Sequence, residues 1–596
     1  MIIRDPRPDP EELARASRSS LGLIPADLIL SRVSLVDVWS LRVVENVDIA
    51  IKGRIISCVG RCIRSRGSST KEIDLHGKYI APGLIDPHTH IESTYLRPSE
   101  FSKAVMARGT TTVFADPHEI ANVTGVAGLE YMARELSESL LRVFLLVPPN
   151  VPASPRSPDR GGASLEYSEV LKIVDSFSGV GEVMDIGSLL DGVGDYIDYV
   201  SRISMRGIVQ GHAAGLSGED LDAYASLGMY NDHEVTGWEE FLEKLSKGLI
   251  PIVRYGSSWR DLDRLYRAIE RYPQIVSIAT DDIHALHIAR EGHMDRAVRR
   301  AIELGVDPVR AIASATIAPA ILYGVHRWIG SIAPGRYADL VVIDSLDRLY
   351  IESVYIEGNL VARHYRYVGP DKKPPNPPRD MVDSIRVGDI DRIAPEIPRG
   401  CEEAEVRAIR PIHGTTLTRE ERISIDCRGL VVGDLGGDLS LVAVVNRYGK
   451  GSGYVGLAVD IGIEGALASS IAHDSHNIIA VGSSMGDIRM AIASIVESRG
   501  GISYVYKGRV EAAVVLEIAG LMSSKGYEDV AEDLERLFRA LESSGVEKPE
   551  DILQEIQLLS LTVIPEIRIT DRGLYHVTRR QIMDLVVSYR KPGIES

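Results

Sequence analysis

The chain has no long charge-free apolar run, no cationic excess and almost no cysteine, and each shortage removes a class of protein. A bilayer-spanning helix needs roughly 18 or more consecutive apolar residues, and no stretch here offers them. The first thirty residues mix Arg, Asp, Glu and Pro without the apolar heart of a secretory leader, so the expected location is cytoplasmic. Acidic side chains outnumber basic ones 84 to 67, for a formal net charge of −17. A sequence-independent grip on phosphate backbones needs clustered Lys and Arg, so a nucleic-acid polymer is not the expected partner. The four cysteines, Cys58, Cys62, Cys401 and Cys427, include no C-x-x-C pair of the kind used by zinc ribbons and redox motifs. They read as buried thiols. A bridge between Cys401 and Cys427 is reserved for a hyperthermophilic source, where intracellular disulfides occur, and scarce Gln with abundant Arg and Glu leans that way. No internal repeat is visible.

What is present is enough for an enzyme of several domains. At 596 residues, 44% of them hydrophobic, the chain exceeds one core and predicts three or four domains. Short β-branched runs between polar turns fill Ala26 to Gly60, and similar runs return at Ala338–Asp344 and Ile351–Gly358. The two sets predict one small β-sandwich with everything between them inserted. Within the insert, Val143–Val147, Gly207–Gly211 and Ile275–Ala279 are near-continuous apolar runs typical of parallel strands, and they alternate with amphipathic segments such as Leu262–Glu270. The expected fold is α/β: a (β/α)8 TIM-like barrel over 81–327, a β-sandwich built from 1–80 and 328–369, a Pro-rich linker region over 370–399, and a C-terminal α+β domain over 400–596.

The candidate chemistry begins at Asp86-Pro87-His88-Thr89-His90. Residues i and i+2 of a strand share a face, so His88 and His90 can hold one ion. Further donors stand at other expected strand ends: Glu182, His212, His233 and Asp281. Singly each has a plain alternative, since Glu182 and Asp281 or Asp282 can cap helices and His212 can be a core histidine. Jointly they fall at the end of a barrel where catalytic groups collect. Nitrogen and carboxylate donors without thiolate suit two divalent ions, with Zn2+, Mn2+ and Fe2+ all compatible. A carboxylate such as Glu182 can bridge them, and a hydroxide held between two ions is a nucleophile at neutral pH. His284, His287 and His293 read as solvent-facing or structural residues of a polar helical stretch.

With these residues in place the chain resembles the amidohydrolase superfamily, and more narrowly its bacterial and archaeal adenine deaminases. The resemblance rests on Ala81 to His90, His90-Ile91-Glu92-Ser93, Asp116-Pro117-His118-Glu119-Ile120-Ala121-Asn122-Val123, Gly181-Glu182-Val183-Met184, Gly330 to Val341, and Ala472-His473-Asp474-Ser475-His476-Asn477. It implies hydrolytic deamination of adenine to hypoxanthine and ammonia, by a metal-bridged hydroxide attacking C6. It also implies that His88 and His90 bind one metal, Glu182 bridges, His212 and His233 bind the second, and Asp281 is ligand and proton shuttle, with Mn2+ or Fe2+ favoured over Zn2+. Glu182 and Asp281 are the catalytic pair. Glu92, His118, Glu119, Asp282, His473, Asp474, His476 and Asn477 are the expected substrate contacts, the last four on a segment closing over the barrel mouth. A homodimer is the expected assembly. The chain departs from the family at Val445-Asn446-Arg447-Tyr448, where relatives commonly carry Glu-Arg-His. A cyclic amidohydrolase opening a hydantoin or dihydropyrimidine ring is the alternative, but many of these bridge their metals with a carboxylated lysine, and this chain offers Glu182. An inactive scaffold relative would have lost ligands, and all six are present. An adenosine-specific enzyme is a further possibility. The zinc deaminases with an H-x-E and P-C-x-x-C signature are excluded, since no P-C-x-x-C follows.

Overall fold

Eight short strands, each buried along almost its whole length, form the centre of the molecule. The computed structural model describes residues 7–591 apart from 155–156, 433–434, 436–437 and 452. The central strands are β1 Leu84–Thr89, β2 Thr110–Ala115, β3 Arg142–Leu145, β4 Gly179–Val183, β5 Ile208–Gly211, β6 Asn231–Asp232, β7 Ile250–Arg254 and β8 Ser277–Ala279. Parallel ladders join β1 to β2, β2 to β3, β4 to β5, β6 to β7 and β7 to β8. A bridge from Val147 to Val180 links β3 to β4, and one from Thr89 to Asp281 closes the ring from β8 to β1. Between β5 and β6 a side chain replaces the ladder. Asn231 accepts from the Gly211 N–H at 3.1 Å and donates to the Val209 carbonyl at 2.7 Å. Helices on the outside, such as Leu262–Arg271 and Met294–Glu303, cover strands that are apolar on both faces. The barrel floor is filled by Ile85, Phe114, Phe144, Ile208 and Ile252, with the two Phe rings stacked 4.4 Å apart.

Next to the barrel lies one nine-stranded sheet built from both ends of the insert. Leu340–Ile343 runs antiparallel to Tyr79–Pro82, which pairs in parallel with Leu28–Asp37. Leu28–Asp37 is one bulged strand where two runs were expected, and its register shifts curl the sheet. The two layers of the sandwich are arms of that single sheet, sharing a core in which Ile49 and Ile51 meet Leu340 and Val342. The Pro-rich stretch 370–378 has no regular structure and runs along the barrel, where the Pro375 carbonyl accepts from Arg97 Nη2 at 2.7 Å. The C-terminal region builds a second nine-stranded sheet. Its strand Leu439–Val445, buried from Ser440 onward, sits between Tyr454–Val459 and Ile478–Gly482, and the helix Met485–Ser498 packs on the sheet.

The cysteine reading needs correction. Cys58 is paired with Cys62 and Cys401 with Cys427, so none of the four is a thiol. Their Cα atoms are 5.7 Å and 5.8 Å apart, within disulfide reach. Four residues of separation suffice for the first pair because Cys62 takes a left-handed conformation that turns the chain back.

One buried ion pair anchors the first barrel helix and the linker together. Arg97 binds Glu135 through Nε at 2.8 Å and Nη2 at 3.0 Å, and Glu135 also accepts from Ser99. Replacing Arg97 with Met leaves a buried carboxylate unpaired, which costs about 3–5 kcal/mol. The expected result is a clearly lowered thermal unfolding midpoint by calorimetry, with no change in metal content.

Candidate metal centre

The C-terminal ends of the barrel strands bring six candidate ligands to one place. His88 and His90 leave β1, Glu182 lies on β4, His212 follows β5, His233 follows β6 and Asp281 follows β8. Pro87 has no N–H for the ladder, and the register of β1 against β2 shifts between Asp86 and Thr89. Asp86 thereby turns toward His293 in the outer layer, while His88 and His90 face the mouth.

Glu182 organises the group through its two oxygens. Oε1 stands 3.1 Å from His88 Nε2 and 2.8 Å from His90 Nε2. Oε2 stands 2.7 Å from His212 Nδ1 and 3.7 Å from His233 Nε2. Asp281 Oδ1 completes the first set, 3.4 Å from His88 and 3.2 Å from His90. Two ligand sets therefore share one carboxylate.

The surrounding hydrogen bonds leave the ligating nitrogens bare. His90 Nδ1 donates to the Asp116 carbonyl at 3.0 Å, an acceptor-only partner, so its Nε2 keeps a lone pair for an ion. His88 Nδ1 meets Gln210 Oε1 at 2.8 Å, and the Gln210 amide is oriented by donating to the Pro87 carbonyl at 2.8 Å. Among the described residues, buried His88 Nε2 has no hydrogen-bond partner, and neither has His233 Nδ1, the ring nitrogen other than the Nε2 that stands toward Glu182. Asp281 is held from its other side by Arg254 Nη1 at 3.2 Å, and Arg254 also binds Glu234 and Asp261.

The electrostatics ask for cations. Burial alone would raise the carboxyls of Glu182 and Asp281, yet the facing imidazoles hold both well below the usual range, helped at Asp281 by Arg254. Burial would lower His88, but Asp281 and Glu182 override it and push the imidazole up to about 10. Carboxylates that draw protons so strongly onto imidazoles draw divalent cations in the same way, and orphaned buried nitrogens with nitrogen and oxygen donors fit two such ions.

Above the ligands the wall belongs to both domains. Two adjoining cavities meet at Glu119, Asp282 and His473. One contains the ligand cluster and is roofed by Thr416, His473, Asp474 and an apolar group in which Leu558, Leu561 and Ile564 pack on Trp259. The other lies toward Glu92, His476 and the helix Pro549–Leu558. Glu119 accepts from His473 Nδ1 at 2.8 Å and contacts His476 Nε2. His473, His476 and His118 hold its carboxyl well below its usual range against the opposing effect of burial. Glu92 Oε1 accepts from the Ile120 N–H at 3.0 Å, its Oε2 has no hydrogen-bond partner among the described residues, and burial pushes its carboxyl up to about 7. His118 stands edge-on to His90, 4.6 Å away between ring centres. Asp282 is raised by burial and by neighbouring Asp281.

Asn477 does not line either cavity. It accepts from the Arg447 N–H at 3.3 Å and donates to the Arg160 carbonyl and Ser475 Oγ, so it braces the 473–477 segment from behind. His284, His287 and His293 are not solvent-facing: all three are buried. His284 and His287 face Glu550 of the C-terminal region, at 3.6 Å and 3.1 Å, and His293 meets Thr110 Oγ1 at 2.9 Å. Three contributors were not foreseen as functional. Arg254 signals itself only as a charge ending an apolar strand, Gln210 and Asp116 only as polar residues beside ligands. Tyr448 donates to the Ser475 carbonyl at 2.7 Å, fastening the same segment.

A (β/α)8 barrel with these ligands at its strand ends defines a metal-dependent hydrolase of the amidohydrolase class, and the Amidohydrolase family model matches residues 79–250 and 254–373. The Adenine deaminase C-terminal domain model matches 415–581. Adenine deaminase of Kosmotoga olearia is 36% identical over 575 residues, covering 95% of this chain and 97% of the relative. Adenine deaminase of Staphylothermus marinus is 34% identical, covering 97% of this chain and 98% of the relative. Among solved structures, molinate hydrolase aligns with 56% of this chain and 95% of its own, at 18% identity and a TM-score of 0.42. The chain belongs to the adenine deaminase family.

The placement of Glu182 depends on a glycine. Its N–H donates to Asp116 Oδ2 at 2.8 Å, and a Cβ on the preceding Gly181 would stand 2.2 Å from that same oxygen. Gly181→Ala is expected to displace Glu182 and leave the purified protein with less than half the wild-type metal content by elemental analysis.

Proposed function

We propose that the protein hydrolyses adenine to hypoxanthine and ammonia. The observation that carries the reading is the carboxylate of Glu182 facing two separate imidazole sets beneath a roof supplied by the adenine deaminase C-terminal domain. The metal ligands are proposed to be His88, His90 and Asp281 on one ion, His212 and His233 on the other, with Glu182 between them. Mn2+ or Fe2+ are the ions proposed, and the assembly a homodimer. Ions held there supply a water that loses its proton near neutral pH.

The chain's own groups then manage protons and position. Attack at C6 places electron density on the neighbouring ring nitrogen N1, and Glu92, neutral over part of the ordinary pH range, is placed to give it a proton. Asp281, steadied by Arg254, takes the proton released at the nucleophile and passes it to the departing amine. His473, anchored at Nδ1 by Glu119, and Asp282 border both cavities and confine the base at their junction. The roof of Trp259, Leu558, Leu561 and Ile564 excludes bulk water from the reacting end, which strengthens every charge interaction inside.

Ammonia release is to be measured with adenine, adenosine and dihydrouracil as separate substrates, on protein reconstituted in parallel with Mn2+, Fe2+ and Zn2+. Turnover of adenine alone, with hypoxanthine as product, is the expected result, and no adenine turnover in any metal form rejects the reading. Glu182→Gln and Asp281→Asn are each expected to lower kcat by about 1,000-fold or more, the scale of removing a positioned acid–base group, with unchanged circular dichroism. Near-wild-type rates in either refute its role.

A further inference from the structure

The cavity beside the ligand cluster contains a polar group with no task inside the protein. Its other carboxamide, Gln557, is engaged: Nε2 donates to Ser469 Oγ at 3.0 Å and Oε1 accepts from the Tyr95 hydroxyl at 3.4 Å. Gln554 lies three residues earlier on the helix Pro549–Leu558, and residues at that spacing share a helix face. It lines the same cavity, and its Oε1 is buried with no hydrogen-bond partner among the described residues. A buried carbonyl oxygen without a donor is destabilising. An acceptor kept in that condition on a cavity wall is matched to a donor that arrives from outside.

The free base proposed as substrate carries such a donor at the required end. C6 must stand at the ligand cluster, near Asp281 and Asp282. In the six-membered ring the atom opposite C6 is N3, and its neighbour on the fused ring is N9. That far edge presents an acceptor, N3, beside a donor, N9–H. A carboxamide is the complementary pair, by the same logic that lets Asn or Gln grip the N6/N7 edge of adenine with two hydrogen bonds. Exchanging the amide oxygen and nitrogen by rotation leaves the match available. In a nucleoside N9 carries a sugar, which removes the N–H and adds bulk against the helix.

We infer that Gln554 is a specificity-determining residue that binds the N3/N9–H edge of the purine and selects the free base against 9-substituted purines. The inference rests on the adenine reading above and adds to it a location: discrimination lies on a helix of the C-terminal domain, away from the ligands. A site built to hydrogen-bond an N–H rejects the analogue lacking it far more strongly than an apolar wall does.

The test uses the metal-loaded, full-length protein and reads binding, so that it stands apart from turnover. Titration calorimetry with purine and with 9-methylpurine is to be run on wild type, Gln554→Leu and Gln554→Met, alongside adenine turnover by wild type. Wild type is expected to bind purine at least 10-fold tighter than 9-methylpurine. Both variants are expected to bring that ratio close to one by weakening purine, with 9-methylpurine affinity and metal content unchanged. A ratio that stays as in wild type, or variants that lose both ligands alike, overturns the role of Gln554. A wild type that fails to deaminate adenine overturns the proposed function instead, and the two failures are separate readings of one experiment.

Discussion

The mouth of the barrel depends on one carboxylate that is asked for from two sides. Glu182 has no counter-ion of its own on β4, yet each oxygen faces imidazoles carried by other strands. Two buried carboxylates and four imidazoles cannot stay in a dry site without positive charge among them, whether protons or metal ions. The surrounding polar residues favour metal ions. Gln210 and the Asp116 carbonyl take up the outward nitrogens of His88 and His90, and Asp116 also fixes the Glu182 backbone. The barrel supplies these fixed points because strand ends are rigid, and a ligand set of this kind tolerates little displacement.

Charge and shape come from different domains. The six candidate ligands around Glu182 belong to the barrel, whereas the surface above them is largely C-terminal. The 473–477 segment is kept in place by residues with no access to substrate. Tyr448 holds its carbonyls, Asn477 ties it to Arg160, and buried Arg447 reaches across to the Ala519 carbonyl at 2.9 Å. The Val445-Asn446-Arg447-Tyr448 run therefore serves as a brace, where a phenol does the fastening.

The sequence disclosed what is local and withheld what is made by contact. His88 and His90 were legible because a period of two is a property of the strand itself, and the runs of β3, β5 and β8 were legible because strands buried on both faces are mostly apolar. The resemblance of short blocks then linked ligands that are distant in sequence. Arg254 was hidden because its importance lies in three carboxylates on other segments, and Gln554 because one unpaired oxygen leaves no pattern along a helix. For the histidines at 284 and 287 the choice between a solvent-facing and a structural role stayed open for the same reason. Polar neighbours suggested solvent, but the partner they turn toward, Glu550, is more than 250 residues away along the chain. The closure of Cys58 on Cys62 needed a backbone turn that spacing alone does not announce.

The order of the ligands and the roof along the chain gives synthesis a direction. All six candidate ligands precede the C-terminal roof residues, which begin at Thr416, so a growing polypeptide completes that cluster while most of the covering surface is still unmade. Domains fold in order as they emerge from the ribosome. The candidate cluster is therefore assembled at an open mouth, and the later docking of the C-terminal domain covers it.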